Sequence, residues 1–255
     1  LNEKEAYQFL ADRLGLEPEV IPYLVEMCLE MTVLNPILPE TVRRLGRILD
    51  LRPGQRVLDL ACGKAGVSLP LVRTYKVNLT GVDLMPDFIR EAWSRAEYSG
   101  IYENCRFRLD DAARFAAETK EQWDAVLVVG AMTIIWDSLA AGLAGVKPLV
   151  RPGGCLVIGQ PYLLDQDMVD PEGQASGTKE EITTALSQAG EVLEILDDGR
   201  PGWEALWKLQ QKDLARLKKQ DSDNQSLMTF MDQWTDRWRW EMENLGFALW
   251  VIRVK

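Results

Sequence analysis

The chain has 255 residues, 47% of them apolar and 27% charged, a balance that fits a folded globular protein and excludes disordered and fibrous classes. Its net charge of −10 argues against nucleic acid as a partner, because affinity for a polyanion rests on a basic face that neutralises phosphates. The longest nearly apolar run, Ala125 to Trp136, is too short to span a bilayer, and the charged start LNEKEAYQF has no apolar leader region; a cytoplasmic protein without a membrane partner is expected.

Residues 1–50 read as an N-terminal helical cap. Phe9, Leu10 and Leu14, then Ile21, Leu24, Val25, Cys28 and Leu29, recur at helical spacing, LNPILPE breaks the pattern, and a further helix opens at Pro39 or Glu40 and ends near Asp50. From Arg56 the rhythm changes to short apolar runs alternating with helical stretches: RVLDLA, VNLTGVDL, CRFRLD, WDAVLVVG and GCLVIGQ are the runs. Strand and helix alternating in this way predict βαβ crossovers and a parallel sheet covered on both faces, so residues 51–162 are expected to form an α/β core. After Pro161, YLLDQDMVDPEGQASGT is polar and turn-rich, Lys179 to Ala189 is helical, and Glu191 to Leu196 is a candidate strand. Residues 203–219 and 227–243 are two amphipathic helices, the second striped by Leu227, Phe230, Met231, Trp234, Trp238 and Met242, and FALWVIRV closes residues 163–255 as a last strand.

The chain has four cysteines and no histidine. Catalysis by Ser-His or Cys-His pairs and a structural zinc site are therefore not expected, and no metal site is assigned. Three cysteines, Cys62, Cys105 and Cys155, fall within or beside expected strands, where buried reduced thiols are usual.

An acid, Asp59, interrupts the apolar run VLDLACGKAG just ahead of a loop of small residues. Such a loop, at the carboxyl end of a strand in a parallel sheet, lets its backbone approach a ligand, and two cofactor classes suit it. As AxGxxG, with Asp83 about twenty residues beyond, it mimics a dinucleotide fingerprint lacking its first glycine, which would make the protein an NAD-dependent oxidoreductase. As a degenerate D-x-G-x-G-x-G, Asp59 to Ala65 resembles the first motif of the class I S-adenosylmethionine-dependent methyltransferases, with Ala61 and Ala65 standing where two glycines usually stand. TGVDL, LDDAARF, WDAVLVVGAM and RPGGCLVIGQPY resemble the second, third, fourth and fifth strand motifs of that family, in family order from Arg56 to Tyr162. A carboxylate at the loop edge suits a cofactor carrying ammonium and sulfonium charges and opposes a pyrophosphate.

That resemblance implies a Rossmann-like, mostly parallel seven-stranded sheet with helices on both faces and a C-terminal helical insertion before the last strand. It implies S-adenosyl-L-methionine as cofactor and methyl transfer to a small-molecule acceptor by in-line displacement, with a non-catalytic module that only binds the cofactor as the alternative. Carried over residue by residue, it places Asp59, Ala61, Gly63 and Ala65 at the loop and methionine end, Asp83 with Leu84 at the ribose, Asp111 with Ala112 at the adenine, and Gly130 at the end of the fourth strand. Asp110 and Asp111 also suit an N-cap pair for the following helix. Lys64, where the family usually has threonine or serine, is expected as a solvated side chain. QPY in IGQPYLL resembles the N/D-PPY box of amino-group methyltransferases, but it follows the fifth strand rather than the fourth and carries no weight. No catalytic residue is assigned; Tyr162 and Tyr23 are candidate bases in the absence of histidine. Leu34 to Pro36, the pair Gly202 and Trp203, and the tail that holds six of the nine tryptophans are candidate walls of the acceptor pocket. The tryptophan stripe suits a cage for a cationic or aromatic acceptor, a core, or the interface of a homodimer.

Overall fold

The computed structural model describes residues 3–171 and 175–255; residues 172–174, within the segment read as turn-rich, lie outside the described residues. The N-terminal cap comprises α1 (Glu3–Leu14), α2 (Ile21–Glu26) and α3 (Pro39–Leu49). Proline at the first position starts α3, where its missing N–H has no intrahelical partner to lose, and Asp50 ends it in a left-handed conformation.

The strands β1 (Arg56–Leu60), β2 (Asn78–Asp83), β3 (Cys105–Leu109), β4 (Trp123–Val129), β5 (Val150–Leu163), β6 (Gly190–Asp197) and β7 (Leu245–Val254) form one sheet in the order β3-β2-β1-β4-β5-β7-β6. Only β7 runs antiparallel to its neighbours. Helices α4 (Ser68–Tyr75), α5 (Pro86–Tyr98), α6 (Ala112–Glu118), α7 (Met132–Ile135) and α8 (Leu139–Val146) make the crossovers between the parallel strands. Then α9 (Lys179–Leu186) precedes β6, and α10 (Gly199–Gln220) with α11 (Gln225–Asn244) forms the insertion before β7. This is the expected Rossmann-like architecture. RPGG, the start of the fifth-strand motif, lies inside β5 as a bulge: the register with β4 shifts between Trp123↔Val150 and Ala125↔Cys155.

Side chains of the central strands alternate between two cores, because successive residues of a strand point to opposite faces. Val57, Leu127 and Val157 pack on one face, and Leu58, Val126 and Ile158 on the other. Cys62, Cys105 and Cys155 are buried and unbridged.

A third core lies off the sheet. The cap and the C-terminal insertion pack on each other: Ala11, Ile21, Leu24 and Met27 meet Leu214, Leu217, Leu227 and Met231. Polar ties reinforce the contact. The Arg216 guanidinium donates to the Glu26 carbonyl at 2.9 Å, the Glu30 N–H donates to the Asp213 carboxylate at 3.0 Å, and the Tyr23 hydroxyl donates to Asp221 at 3.3 Å. Met85, just beyond β2, belongs to the same cluster and joins this helical lid to the sheet.

Candidate functional site

In an open parallel sheet, ligands enter beyond the carboxyl ends of the strands where the strand order reverses, here between β1 and β4. Asp59 and Asp83 stand at the ends of β1 and β2, and both are buried, 3% and 6% exposed. The Asp83 carboxylate accepts from the Gly63 N–H at 2.7 Å and from the Met85 N–H at 2.8 Å, so it fixes both its own turn and the loop after β1. Burial pushes the Asp59 carboxyl up to about 7; Ser68 favours its charged form and the neighbouring Asp83 charge opposes it. Burial also pushes Asp83 up to about 6, against the N–H groups of Met85, Gly63 and Leu84 that favour its charge.

The loop itself is left-handed at alternate positions, with φ of 53° at Ala61, 52° at Gly63 and 56° at Ala65. The two alanines therefore adopt the backbone that glycines would adopt at those positions, at a cost of ~1–2 kcal/mol each before compensation.

A cleft of about 230 Å³ opens over this loop. It is lined by Asp59, Ala61, Gly63, Asp83, Leu84, Asp111, Ala112 and Gly130, eight of the residues singled out in the sequence. Ala65 does not line it. Fully buried behind the loop, Ala65 accepts the Leu69 N–H at 2.9 Å and starts the turn into α4. Asp111 has a dual position: it lines the cleft while its carboxylate caps α6 by accepting the Arg114 N–H at 2.7 Å. Asp110 instead pairs with Arg108 and Arg114.

Lys64 departs from expectation. It is only 4% exposed, and its ammonium donates to the carbonyls of Cys28 at 2.6 Å and Leu29 at 3.2 Å. It ties the loop to the chain leaving α2, and burial lowers its pKa. Neither candidate base reaches the cleft. The Tyr162 hydroxyl donates to Asp197 at 2.6 Å, and burial and that carboxylate push its pKa upward. Tyr23 sits at the join of the lid, its pKa raised by burial and Asp221.

Of the segment Leu34–Pro36, Leu34 and Asn35 line the cleft and Pro36 does not. The Leu34 side chain lies 3.0 Å from where a Cβ on Gly63 would stand, and a Cβ on Gly130, whose φ is +78°, would lie 1.9 Å from Asn35 Oδ1. Gly130 thus admits Asn35, whose amide donates to the Val129 carbonyl at 3.4 Å. Gly202 and Trp203 act from behind: a Cβ on Gly202 would come within 2.3 Å of the Pro36 carbonyl, and Trp203 packs edge-on against Trp238 at 5.7 Å. Trp207 stacks on the same ring at 5.4 Å, so these tryptophans are core rather than a cage around the cleft.

Phe9, Leu10 and Arg13 of α1, Phe88 of α5 and Ile134 of α7 also line the cleft and were not singled out in the sequence. Phe9 and Leu10 carried a signal, since they belong to the apolar stripe of α1. A second cavity of about 220 Å³ shares Leu10, Leu34, Met85 and Phe88 with the cleft and continues between α2, α10 and α11.

A family model described as a methyltransferase domain matches residues 57–154. The YjhP protein of Escherichia coli (strain K12) is 31% identical over 188 residues, which cover 69% of this chain and 73% of that protein. A methyltransferase from Geobacter sulfurreducens, solved in complex with S-adenosyl-L-homocysteine, superposes with a TM-score of 0.82 at 22% identity, covering 92% of this chain and 98% of that one. The X-ray structure of YjhP superposes with a TM-score of 0.79 at 22% identity, covering 90% and 99%.

Proposed function

Because the chain belongs to the class I S-adenosylmethionine-dependent methyltransferases, we propose that it methylates a small molecule held between the strand ends and the helical lid. When bound, the cofactor would supply a sulfonium methyl already activated for transfer to a lone pair of the acceptor. Asp83 retains acceptor capacity beyond its two N–H partners and would take the ribose hydroxyls. Asp111 and Ala112 would face the adenine, and the loop from Ala61 to Gly63, with Asp59 beneath it, would hold the methionine end.

The observation that carries this reading is the pair of buried carboxylates in one mostly apolar cleft. The two basic residues that line the cleft have other partners: the Lys64 ammonium donates to backbone carbonyls and Arg13 reaches Asp137 at 3.5 Å. Two carboxylates without a local cation attract an ammonium or sulfonium group and repel a pyrophosphate, which disfavours a dinucleotide. The net charge of −10 supports a small acceptor over nucleic acid.

With no histidine in the chain and both candidate tyrosines outside the cleft, holding the acceptor in line is the main contribution assigned to the protein. Positioning of that kind supplies about 7–11 kcal/mol of barrier reduction. The tryptophan stripe is used inside the lid, so it provides no argument for a homodimer. No described helix is long and apolar enough to cross a membrane.

Titration calorimetry tests the reading. S-adenosylhomocysteine should bind the unaltered protein and NAD should not. Gly63→Trp, which puts a bulky side chain on a left-handed residue against Leu34, should remove the binding while circular dichroism stays unchanged. Unchanged affinity in that variant would sink the assignment.

A further inference from the structure

Two neighbouring residues of the cap bridge the crevice at which the strand order reverses. Leu34 packs on the loop after β1, against Gly63, and Asn35 packs at the end of β4, its Oδ1 filling the place of the Cβ that Gly130 lacks. Both line the cleft, as do Gly63 and Gly130. The segment is fixed from outside the cleft. The Leu38 N–H and the Thr41 hydroxyl donate to the Asp198 carboxylate at 2.7 Å and 2.6 Å, and the Pro36 carbonyl packs on Gly202.

The Asn35 amide has a defined orientation. Its Nδ2 donates to the Val129 carbonyl at 3.4 Å, and turning the amide over would set two oxygens against each other. Oδ1 accepts no hydrogen bond from the described residues. It differs in kind from the other acceptors of the cleft wall. The carboxylates of Asp59, Asp83 and Asp111 attract positive charge from any direction, whereas a neutral amide oxygen rewards a hydrogen placed on it.

An amide oxygen takes no proton near neutral pH, so it orients a nucleophile without deprotonating it. Holding the N–H or O–H of an acceptor on Oδ1 turns that atom's lone pair away from Asn35 and into the cleft, a form of positioning that needs no base. A carbon nucleophile or a tertiary amine has no such hydrogen to offer, and a thiol is a weak donor.

From this geometry, and resting on the methyltransferase reading above, we propose that Asn35 orients the methyl acceptor, and that it selects a nucleophilic atom bearing hydrogen: a primary or secondary amine, or a hydroxyl.

Three cofactor-shaped probes test this on the full chain. In sinefungin a carbon bearing an amine replaces the methylated sulfur, so a cationic N–H donor stands where the transferable methyl would stand. S-adenosylmethionine carries positive charge there without an N–H, and S-adenosylhomocysteine carries neither. By calorimetry, sinefungin should bind about tenfold or more tightly than S-adenosylmethionine, the gain of one charge-assisted hydrogen bond. Asn35→Leu should bring those two affinities together while S-adenosylhomocysteine affinity persists. Asn35→Asp, which keeps the oxygen acceptor and loses the Nδ2 donor, should keep the preference; a purely structural tie to Val129 would fail alike in both variants. No sinefungin preference in the unaltered protein, a preference that survives Asn35→Leu, or its loss in Asn35→Asp would each overturn the proposal. Equal weakening of all three compounds in Asn35→Leu would overturn it as well. A protein that binds none of the three sinks the methyltransferase reading and the proposal with it, whereas one that binds all three alike sinks the proposal alone.

Discussion

On the sheet side of the cleft, the ends of β1 and β2 carry buried carboxylates, one of them fixed by backbone N–H groups from two turns. On the lid side, α1 and α5 present Phe9, Leu10 and Phe88, and the cavity beyond them is largely apolar. The sheet side is polar, short-range and set by backbone geometry; the lid side is apolar, long-range and set by side-chain packing. A cationic group and an apolar group can therefore be held in one continuous space, because each half disfavours what the other favours.

The sharpest way to break that contrast is to remove the acid that orders the sheet side. Asp83→Ala should weaken S-adenosylhomocysteine binding about 100-fold or more by calorimetry, since charge-assisted hydrogen bonds contribute ~1.5–3 kcal/mol each and the Gly63 and Met85 N–H groups lose their acceptor as well. The join between the two sides comes next. Lys64→Met removes the ammonium from the Cys28 and Leu29 carbonyls and should lower Tm by about 3–6 °C, for a loss of ~1–2 kcal/mol. Amide exchange at residues 28–32 should accelerate, whereas exchange in β1 and β4 should not.

Acidity separates the two sides without a mutation. Asp59 at about 7 and Asp83 at about 6 lie above ordinary carboxyl values, so the folded protein binds protons there that the unfolded chain has released. Their contribution to stability is present below about pH 4 and is lost as pH rises through 6 and 7. The ligand's ammonium and hydroxyl groups favour the ionised forms, so S-adenosylhomocysteine affinity should rise with pH by up to about tenfold per unit below pH 6, with proton release visible in buffers of different ionisation enthalpy. The smallest effect is expected at Ala61: Ala61→Gly relieves a left-handed alanine at φ 53° and should stabilise the fold by about 0.5–1 kcal/mol in urea denaturation.

The same contrast explains what was legible in the sequence. Strand runs and helical stripes have local periods, so the sheet followed from Arg56 onward, and Asp59 stood out because an acid inside an apolar run must serve something. Asp110 and Asp111 could not be separated by spacing, because either could cap α6; packing turned one towards Arg108 and Arg114 and left the other on the cleft. Lys64 was misread because its partners are backbone carbonyls of residues 28 and 29, and a carbonyl has no sequence signature. The tryptophan stripe of α11 was visible, but nothing local said that α1 and α2 would cover it, or that Gln210 would face an apolar cavity.

The lid has one more consequence, in the order in which the molecule is made. Tyr23 and Asn224 are hydrogen-bonded at 2.9 Å although 201 residues separate them, so a chain leaving the ribosome completes the loop after β1 and strands β2 to β4 before α11 exists. Domains fold progressively from the amino end during synthesis, and contacts of long sequence separation form last. The nascent protein therefore passes through a stage in which the carboxylate end of the site is assembled and open to solvent. Only the synthesis of α10 and α11 completes the roof over it.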